Sequence, residues 1–271
     1  MANDPPSIRL VVLDWAGTAV DHGSFAPVAP FMEAFARCGV AISRAEARGP
    51  MGLPKRDHIA ALLRVPAVAE RWRAAHGRHA TDDDVDRVYA AFVPLQLEVI
   101  DDYAEPVPGL LDAVTELRRR GVKIGGTTGY FREAADRAAG AARRRGYAPD
   151  ATLCPDDVRA GRPSPWMIYR LMEMLDVYPP AAVVKVGDTV PDIQEGRNAG
   201  VWSVGVTDSG SEIGCTAAEL AAMPEPERAE RARAAGRKLL AAGAHEIIPS
   251  AADLPALLDE LTRRLAAGAR P

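Results

Sequence analysis

Apolar runs and amphipathic stretches alternate along the chain from about residue 106 to its end. The short apolar runs predict buried strands, and the stretches between them have the 3.6-residue period of helices. Such alternation is typical of a doubly wound parallel sheet, so we predict an α/β fold. The predicted strands span residues 8–13, 122–126, 151–154, 182–186, 201–206 and 245–248. The predicted helices between them span residues 109–120, 132–145, 165–175, 192–199 and 251–265.

Between the first strand and residue 104 the hydrophobic pattern is helical throughout. The predicted helices span residues 27–38, 55–64, 67–75 and 81–100, and a capping box at Ser43 and Glu46 opens a further one. We therefore predict a core of residues 1–24 and 105–271, with a helical cap inserted at residues 25–104. The active site is expected between the two. A charged, partly helical insertion is predicted at residues 208–237.

Acidic and hydroxyl residues stand at the ends of three predicted strands. Asp14 ends the first strand, Thr127–Thr128 ends a middle one, and Asp188 ends a later one, with Asp192 shortly after it. In open α/β sheets, ligands bind at the carboxyl ends of the strands. Carboxylates that converge there with a backbone carbonyl and waters would suit Mg²⁺. Each Asp alone would be explained as a helix N-cap, but that explanation fits the whole ordered set poorly.

The composition is that of an ordinary globular protein of 271 residues, 48% hydrophobic and 26% charged. A net charge of −4 provides no basic field, so we expect neither a nucleic-acid partner nor a membrane partner. The sequence has no apolar run of about 18 residues, and residues 1–9 lack the pattern of a secretory signal. Its three cysteines include no CxxC pair, which argues against disulfides and a zinc site. We therefore expect a cytoplasmic protein.

Four short motifs occur in order: residues 14–18 (DWAGT), 127–129 (TTG), 161–163 (GRP), and 187–188 (GD) with Asp192. In this the chain resembles the haloacid dehalogenase-like superfamily of phosphotransferases, which has a Rossmann-like core. The resemblance implies that Asp14 attacks phosphorus and forms an aspartyl-phosphate. It implies that Thr127 or Thr128 binds the phosphoryl group, of which we favour Thr128, and that Arg162 neutralises charge. The implied ligands of Mg²⁺ are Asp14, the carbonyl of Ala16, Asp188 and Asp192.

Ala16 departs from the common pattern, because phosphatases of this superfamily carry an Asp at that position. That Asp protonates the leaving alkoxide and then activates water, and an alanine can do neither. Lys55 offers a different chemistry: it follows a Gly- and Pro-rich turn, residues 49–54, at the start of a predicted helix, where the dipole lowers its pKa. A neutral amine can condense with an aldehyde, and the protonated imine then accepts electrons. Taken alone, Lys55 would be interpreted as a solvated helix residue.

Longer segments resemble one family within that superfamily, the phosphonoacetaldehyde hydrolases or phosphonatases. These segments are residues 14–18, 23–27, 48–58, 126–130, 155–163, 184–189, 195–200 and 243–245. The resemblance implies cleavage of the C–P bond of a small phosphonate, phosphonoacetaldehyde, through a Schiff base on Lys55. It also implies a homodimer built through the caps. One departure is Ser24, where some members carry a cysteine.

Three further residues are candidates for the substrate pocket: His58, Met51 and Tyr130. His58 lies three residues after Lys55 on the same helix face and could tune the lysine or relay a proton, but it could equally be an ordinary helix histidine. Met51 and Tyr130 could equally be packing residues. The alternative function is a Mg²⁺-dependent small-molecule phosphatase or phosphomutase, and a third interpretation is a non-catalytic binding protein on the same fold.

Overall fold

Six parallel strands form one sheet in the computed structural model, which describes residues 7–271. The strands are β1 (Leu10–Asp14), β2 (Lys123–Thr127), β3 (Ala151–Leu153), β4 (Val183–Gly187), β5 (Trp202–Val206) and β6 (Glu246–Ile248). Their order across the sheet is β3-β2-β1-β4-β5-β6, and every pairing is parallel. The predicted α/β fold is confirmed, and each predicted strand begins and ends within two residues of an observed one.

The carboxyl ends of β1, β2 and β4 meet at one edge of the sheet. β1 is buried along its whole length, and its alternating side chains pack into apolar clusters on the two faces. Asp14 of β1 is level with Thr127 of β2, and Leu13 pairs with Val186 of β4. The strand order reverses between β1 and β4, and ligands of open α/β sheets bind at such a crevice.

Seven helices of the described chain belong to this α/β core. They are α6 (Leu110–Arg119), α7 (Arg132–Arg144), α8 (Trp166–Met174), α9 (Val190–Ala199), α10 (Ala217–Ala222), α11 (Glu225–Ala241) and α12 (Leu254–Ala266). The last helix begins later than predicted, because residues 251–253 form a separate 3₁₀ turn. The predicted insertion at residues 208–237 contains α10 and most of α11, which packs against β5 and β6. The loop before α10, residues 207–216, returns to the strand ends.

Five helices between β1 and residue 104 form the cap and have an apolar cluster of their own. They are α1 (Val28–Arg37), α2 (Arg44–Arg48), α3 (Lys55–Arg64), α4 (Pro66–His76) and α5 (Asp82–Val99). The largest side chains of the cluster are Phe31, Phe35, Trp72 and Phe92. Ser43 and Glu46 form the predicted capping box at α2. The boundaries of the cap at residues 25 and 104 stay a prediction.

The described residues also bear on membrane spans and disulfides. No helix within residues 7–271 is long and apolar enough to cross a membrane. All three cysteines, Cys38, Cys154 and Cys215, are free thiols. We expect no secretory signal in residues 1–9. Residues 1–6 of this segment lie outside the range that the structure describes.

Candidate active site

Three buried carboxylates meet where β1 and β4 end. Asp14 is the last residue of β1, Asp188 follows β4 directly, and Asp192 lies in the first turn of α9. One oxygen of each lies within 4.8 Å of the others, and none of the three residues is more than 5% exposed. The structure thus brings together the three acids that the sequence places at or just after strand ends.

Asp188 is held by neutral hydrogen-bond donors. The hydroxyl of Thr18 donates to Oδ1 at 3.1 Å, and the N–H of Ser211 donates to Oδ2 at 2.7 Å. Gly17, with φ +88°, passes so close that a Cβ there would lie 2.6 Å from Oδ2. Burial, followed by the charges of the other two carboxylates, raises the pKa of Asp188. A divalent cation would offset this accumulated negative charge, so the donor set fits a metal ion.

Asp192 differs from Asp188 because both of its oxygens already have partners. Its Oδ1 lies 2.9 Å from Nη1 of Arg162 and 2.8 Å from Nζ of Lys185, and the hydroxyl of Thr189 donates to Oδ2. Burial alone would raise the pKa of Asp192, but Arg162 and Lys185 hold it below its usual value. Asp192 therefore adds a fixed negative charge beside the other two carboxylates.

Arg162 is buried and connects Asp14 to a second layer of charges. Its Nη2 lies 2.7 Å from Oδ1 of Asp14 and donates to the carbonyl of Thr127 at 2.7 Å. Its Nε donates to Oε2 of Glu195 at 3.1 Å, and Nζ of Lys185 lies 3.3 Å from the same oxygen. Because these acceptors fix the guanidinium, Arg162 stands beside Asp14 before any ligand binds.

Two further buried charges of the site, Lys185 and Glu195, are not among the predicted site residues. Lys185 occupies the middle of β4, whose five residues are all buried, and a buried lysine requires a counter-charge. Glu195 follows Asp192 by three residues on α9 and therefore shares its face. A lysine inside an apolar strand and an acid repeated at i+3 are visible in the sequence, and together they predict this pair.

The two candidate threonines occupy different surroundings. The Thr127 hydroxyl accepts hydrogen bonds from two buried cations at 2.7 and 2.9 Å and donates to a buried carboxylate at 3.2 Å, so its capacity is used. Thr128 lines a small cavity next to Asp14, and its hydroxyl accepts from the N–H of Tyr130 at 3.1 Å. The Thr128 proton is left available for a ligand, whereas the Thr127 proton is already donated.

Lys55, the first residue of α3, lines the same cavity from the cap. Its Nζ lies 4.9 Å from the ring centre of Tyr130 and 5.9 Å from that of Phe31, and the residue is 7% exposed. Burial, with the charge of Arg162 and against the attraction of Asp14, lowers the pKa of Lys55 to about 8. The sequence predicts that the helix dipole lowers this pKa, whereas burial is the largest cause in the structure.

His58 lies on the same face of α3 and is fully buried. Its ring stacks on Phe31 with the ring centres 4.0 Å apart. Burial, followed by the charge of Lys55, lowers the pKa of His58 well below its usual value, so the imidazole is neutral. Its Nε2–H donates to the carbonyl of Ala47 at 2.9 Å, and Nδ1 has no partner among the described residues.

The cap turn at residues 49–54 packs directly on the core loops. Gly52, with φ +90°, lies where a Cβ would be 2.1 Å from Oγ1 of Thr189, and a Cβ at Gly129 would lie 2.6 Å from the carbonyl of Leu53. The cavity enclosed in this way has a volume of about 20 Å³, which holds about one water molecule. The structure is therefore a closed arrangement of cap and core around this cavity.

Seven of the predicted site residues line this cavity. They are Asp14, Ala16, Met51, Lys55, Thr128, Tyr130 and Arg162. Ser24, noted in the sequence only as a departure from the family, lines it as well, together with Thr189. The remaining predicted residues are buried behind the lining; they are Thr127, His58, Asp188 and Asp192.

A family model described as haloacid dehalogenase-like hydrolase matches residues 8–200. This range runs from β1 through α9 and contains the three carboxylates, the two buried cations and the cap. The chain is therefore a haloacid dehalogenase-like hydrolase, and the six-stranded parallel sheet with the acid cluster at its switch point agrees with that class.

Two curated relatives, from Syntrophobacter fumaroxidans and Klebsiella pneumoniae, bear the name phosphonoacetaldehyde hydrolase. They are 48% and 46% identical to this chain over 97% of its length, and the matches cover 95% and 99% of the relatives. A crystal structure of a phosphonoacetaldehyde hydrolase-like protein from Oleispira antarctica matches with a TM-score of 0.96 and 37% identity, over 100% of this chain and 99% of that one. The chain belongs to the phosphonoacetaldehyde hydrolase family and is an enzyme.

Proposed function

We propose that the protein hydrolyses the C–P bond of phosphonoacetaldehyde to acetaldehyde and phosphate, through a Schiff base on Lys55 and an aspartyl-phosphate on Asp14. One observation carries the proposal: an amine of lowered pKa from the cap and a carboxylate from the core line the same small cavity. These are the two nucleophiles that the reaction needs. The names of the relatives support the same substrate.

Ala16 favours this reaction over the alternative, the hydrolysis or transfer of a phosphate ester. An ester leaves as an alkoxide, which needs a proton from an acid close to Asp14, and the Ala16 side chain has none to give. In a phosphonate the leaving atom is carbon, and an adjacent iminium ion can accept its electron pair. The residue that is missing for a phosphatase is therefore not needed for C–P cleavage.

The first step is condensation of Lys55 with the aldehyde. The neutral amine adds to the carbonyl carbon, water leaves, and the imine carries a proton as an iminium ion. The rings of Tyr130 and Phe31 exclude water from Nζ without supplying a counter-charge, which keeps a useful share of the amine neutral. Met51 and Tyr130 line the cavity, so we assign to them the shaping of the pocket around the two-carbon chain.

Asp14 then attacks phosphorus from the side opposite the carbon. A P–O bond forms while the C–P bond breaks, and the electron pair of the C–P bond moves into the iminium ion to give an enamine. We assign stabilisation of the developing charge on the phosphoryl oxygens to two side-chain donors: Arg162, which lies 2.7 Å from Asp14, and Thr128, which lines the cavity. Protonation and hydrolysis of the enamine release acetaldehyde from Lys55, and water hydrolyses the aspartyl-phosphate to release phosphate.

The residues proposed to hold Mg²⁺ are Asp14, the backbone carbonyl of Ala16 and Asp188. Burial first, and then the charge of Asp192, raises the pKa of Asp14, which opposes the ionised form that attacks phosphorus. A bound Mg²⁺ supplies the positive charge that lowers this pKa and offsets the charge on the phosphoryl oxygens. Asp192, also predicted as a ligand, acts in this proposal through its charge, because Arg162 and other donors occupy its oxygens.

The experiment that tests the proposal is an assay of the purified protein with phosphonoacetaldehyde and Mg²⁺, in which acetaldehyde and phosphate are quantified together. We expect the two products in equal amounts. Phosphate release from phosphate esters, with none from phosphonoacetaldehyde, would favour the phosphatase alternative. Release of neither product from any phosphorylated or phosphonate compound would contradict both enzyme functions.

The rate should rise with pH up to about 8, because the attacking form of Lys55 is the neutral amine. The groups that face Lys55 are the acids Asp14, Asp21 and Asp188, the cation Arg162, and the neutral His58 and Tyr130. With a pKa of about 8, about one tenth of the Lys55 amine is neutral at pH 7. This neutral fraction falls about tenfold for each unit by which the pH is lowered below 7. We expect kcat/KM to follow this share below pH 8 and to level off above it. A profile that stays flat between pH 6 and 8 would contradict the assignment.

We also propose that the protein is a homodimer built through its caps and acts in the cytoplasm on a small phosphonate. The family resemblance supports the dimer. Sedimentation equilibrium is the measurement that checks it, and the mass of a single chain at micromolar concentration would contradict it.

A further inference from the structure

Arg48, the last residue of α2, is a cap residue that binds the core outside the reaction cavity. Its Nη1 donates to the carbonyl of Gly23 at 2.7 Å and to that of Ser211 at 3.2 Å. Its guanidinium carbon lies 4.9 Å from the ring centre of Phe25. Gly214 permits this approach, since a Cβ there would lie 3.1 Å from that carbon. Arg48 thus joins the cap to the linker after β1 and to the loop of residues 207–216.

The same loop holds Asp188. The N–H of Ser211 donates to Oδ2 at 2.7 Å, and a Cβ at Gly210 would lie 2.8 Å from the Cβ of Asp188. The hydroxyl of Ser209 donates to the carbonyl of Gly17 at 2.8 Å, in the turn that passes beside Asp188. Ser211 therefore contacts both the cap and the acid cluster. Its carbonyl accepts a hydrogen bond from Arg48, and its N–H donates one to the carboxylate of Asp188.

We propose that Arg48 is a positioning residue that couples closure of the cap to the cation site through the loop of residues 207–216. The proposal rests on the proposed function in two respects, namely Asp188 as a cation ligand and closure of the cap as a requirement of the reaction. The bonds of Arg48 to the carbonyls of Gly23 and Ser211 run from the cap to core segments, so they form only when the cap is closed. The start of the predicted insertion at residues 208–237 thereby has a part in the reaction.

The coupling is reciprocal. When the cap closes, Arg48 fixes the carbonyl of Ser211 and so orients the N–H that holds Asp188 in its position. When a cation binds Asp188, the carboxylate fixes the loop and leaves the carbonyl of Ser211 in place for Arg48. Linkage requires that closure strengthens cation binding by the same factor by which the cation favours closure. Cap closure also brings Lys55 into the cavity, so the amine, the carboxylates and the cation site are completed in one motion.

The test compares Arg48→Met with Arg44→Met. Methionine keeps an apolar side chain next to Phe25 but removes the donors to both carbonyls, and Arg44 is an exposed arginine on the same helix. Two readouts need no substrate: the affinity for Mg²⁺ by calorimetry, and deuterium exchange of residues 209–214. In Arg48→Met we expect Mg²⁺ affinity to fall about 5- to 10-fold, at the lower end of typical couplings, with faster exchange in the loop. Arg44→Met should match the wild type.

Activity then separates positioning from simple stabilisation. We expect Arg48→Met to lower kcat with little change in melting temperature, and Arg48→Lys to restore part of the loss because an ammonium group can still donate to a carbonyl. The proposal would be overturned if Arg48→Met had the Mg²⁺ affinity and the loop exchange rate of the wild type. A lowered melting temperature of Arg48→Met would not rescue it, if Mg²⁺ affinity and loop exchange were unchanged. A wild type that binds Mg²⁺ but does not cleave phosphonoacetaldehyde would contradict the proposed function only, and the substrate-free readouts would still decide the coupling.

Discussion

Replacing Lys55 with arginine is expected to lower the release of acetaldehyde and phosphate by about 10³-fold or more, because the imine is the route by which the C–P electron pair departs. Arginine keeps a positive charge in the cavity, so electrostatic attraction of the phosphonate is retained. Its guanidinium does not lose a proton near neutral pH and therefore cannot condense with an aldehyde. The variant separates covalent chemistry at Lys55 from the effect of its charge.

The Lys55→Arg variant is measured beside Lys123→Arg, which changes an exposed lysine at the start of β2. Borohydride added during turnover should trap a two-carbon adduct on wild-type Lys55, detectable by mass spectrometry, and none in Lys55→Arg. A Lys55→Arg protein that keeps more than a tenth of the wild-type rate would show that the lysine acts by charge alone. That outcome would contradict the Schiff-base step while leaving C–P cleavage itself in place.

Replacing Asp14 with asparagine is expected to abolish phosphate release, with a loss of about 10³-fold or more, because an amide cannot attack phosphorus. Asparagine preserves the shape of the side chain, although it removes the charge that lies 2.7 Å from Arg162. Imine formation does not involve Asp14 directly, so borohydride should still trap the substrate on Lys55. Asp14→Asn would thus stop the reaction after condensation and before C–P cleavage.

A matched control for Asp14→Asn is Asp136→Asn, which changes an exposed carboxylate on α7. Melting temperatures of both variants show whether the buried charge network survives the substitution. Phosphate release by Asp14→Asn within tenfold of the wild type would mean that another group attacks phosphorus. Loss of trapping together with loss of turnover would contradict the order of steps that we propose.

The architecture of the core could be predicted from the sequence because its signals are local. Each strand is a short apolar run followed by a turn, and the order of strands and helices restricts the sheet to a few parallel topologies. The motif residues Asp14, Thr128 and Asp188 could be placed for the same reason, since the ends of parallel strands meet at one edge. Helix limits were less well predicted where 3₁₀ turns precede a helix, as before Leu254.

The remaining parts of the site depend on contacts between distant segments. The pairing of Lys185 with Asp192 and Glu195, and the contact of Arg48 with the carbonyl of Ser211, depend on how strands, loop and cap pack together. The lowered pKa of Lys55 likewise depends on distant segments, because the main cause of the lowering is burial under the cap and not the position of Lys55 on α3. Periodicity and motifs report neither burial by a distant segment nor the direction of a long side chain.

Ala16 has a consequence for the behaviour of this enzyme among the many phosphate esters of metabolism. Such esters carry the same phosphoryl group that Asp14 attacks in the proposed reaction. Under the proposed function, a bound ester would have no acid to protonate its leaving oxygen. An imine on Lys55 would not replace that acid, because the breaking bond of an ester is P–O and not C–P. The methyl group of Ala16 thus provides chemical selectivity: sugar phosphates and nucleotides can be spared even when they reach the nucleophile.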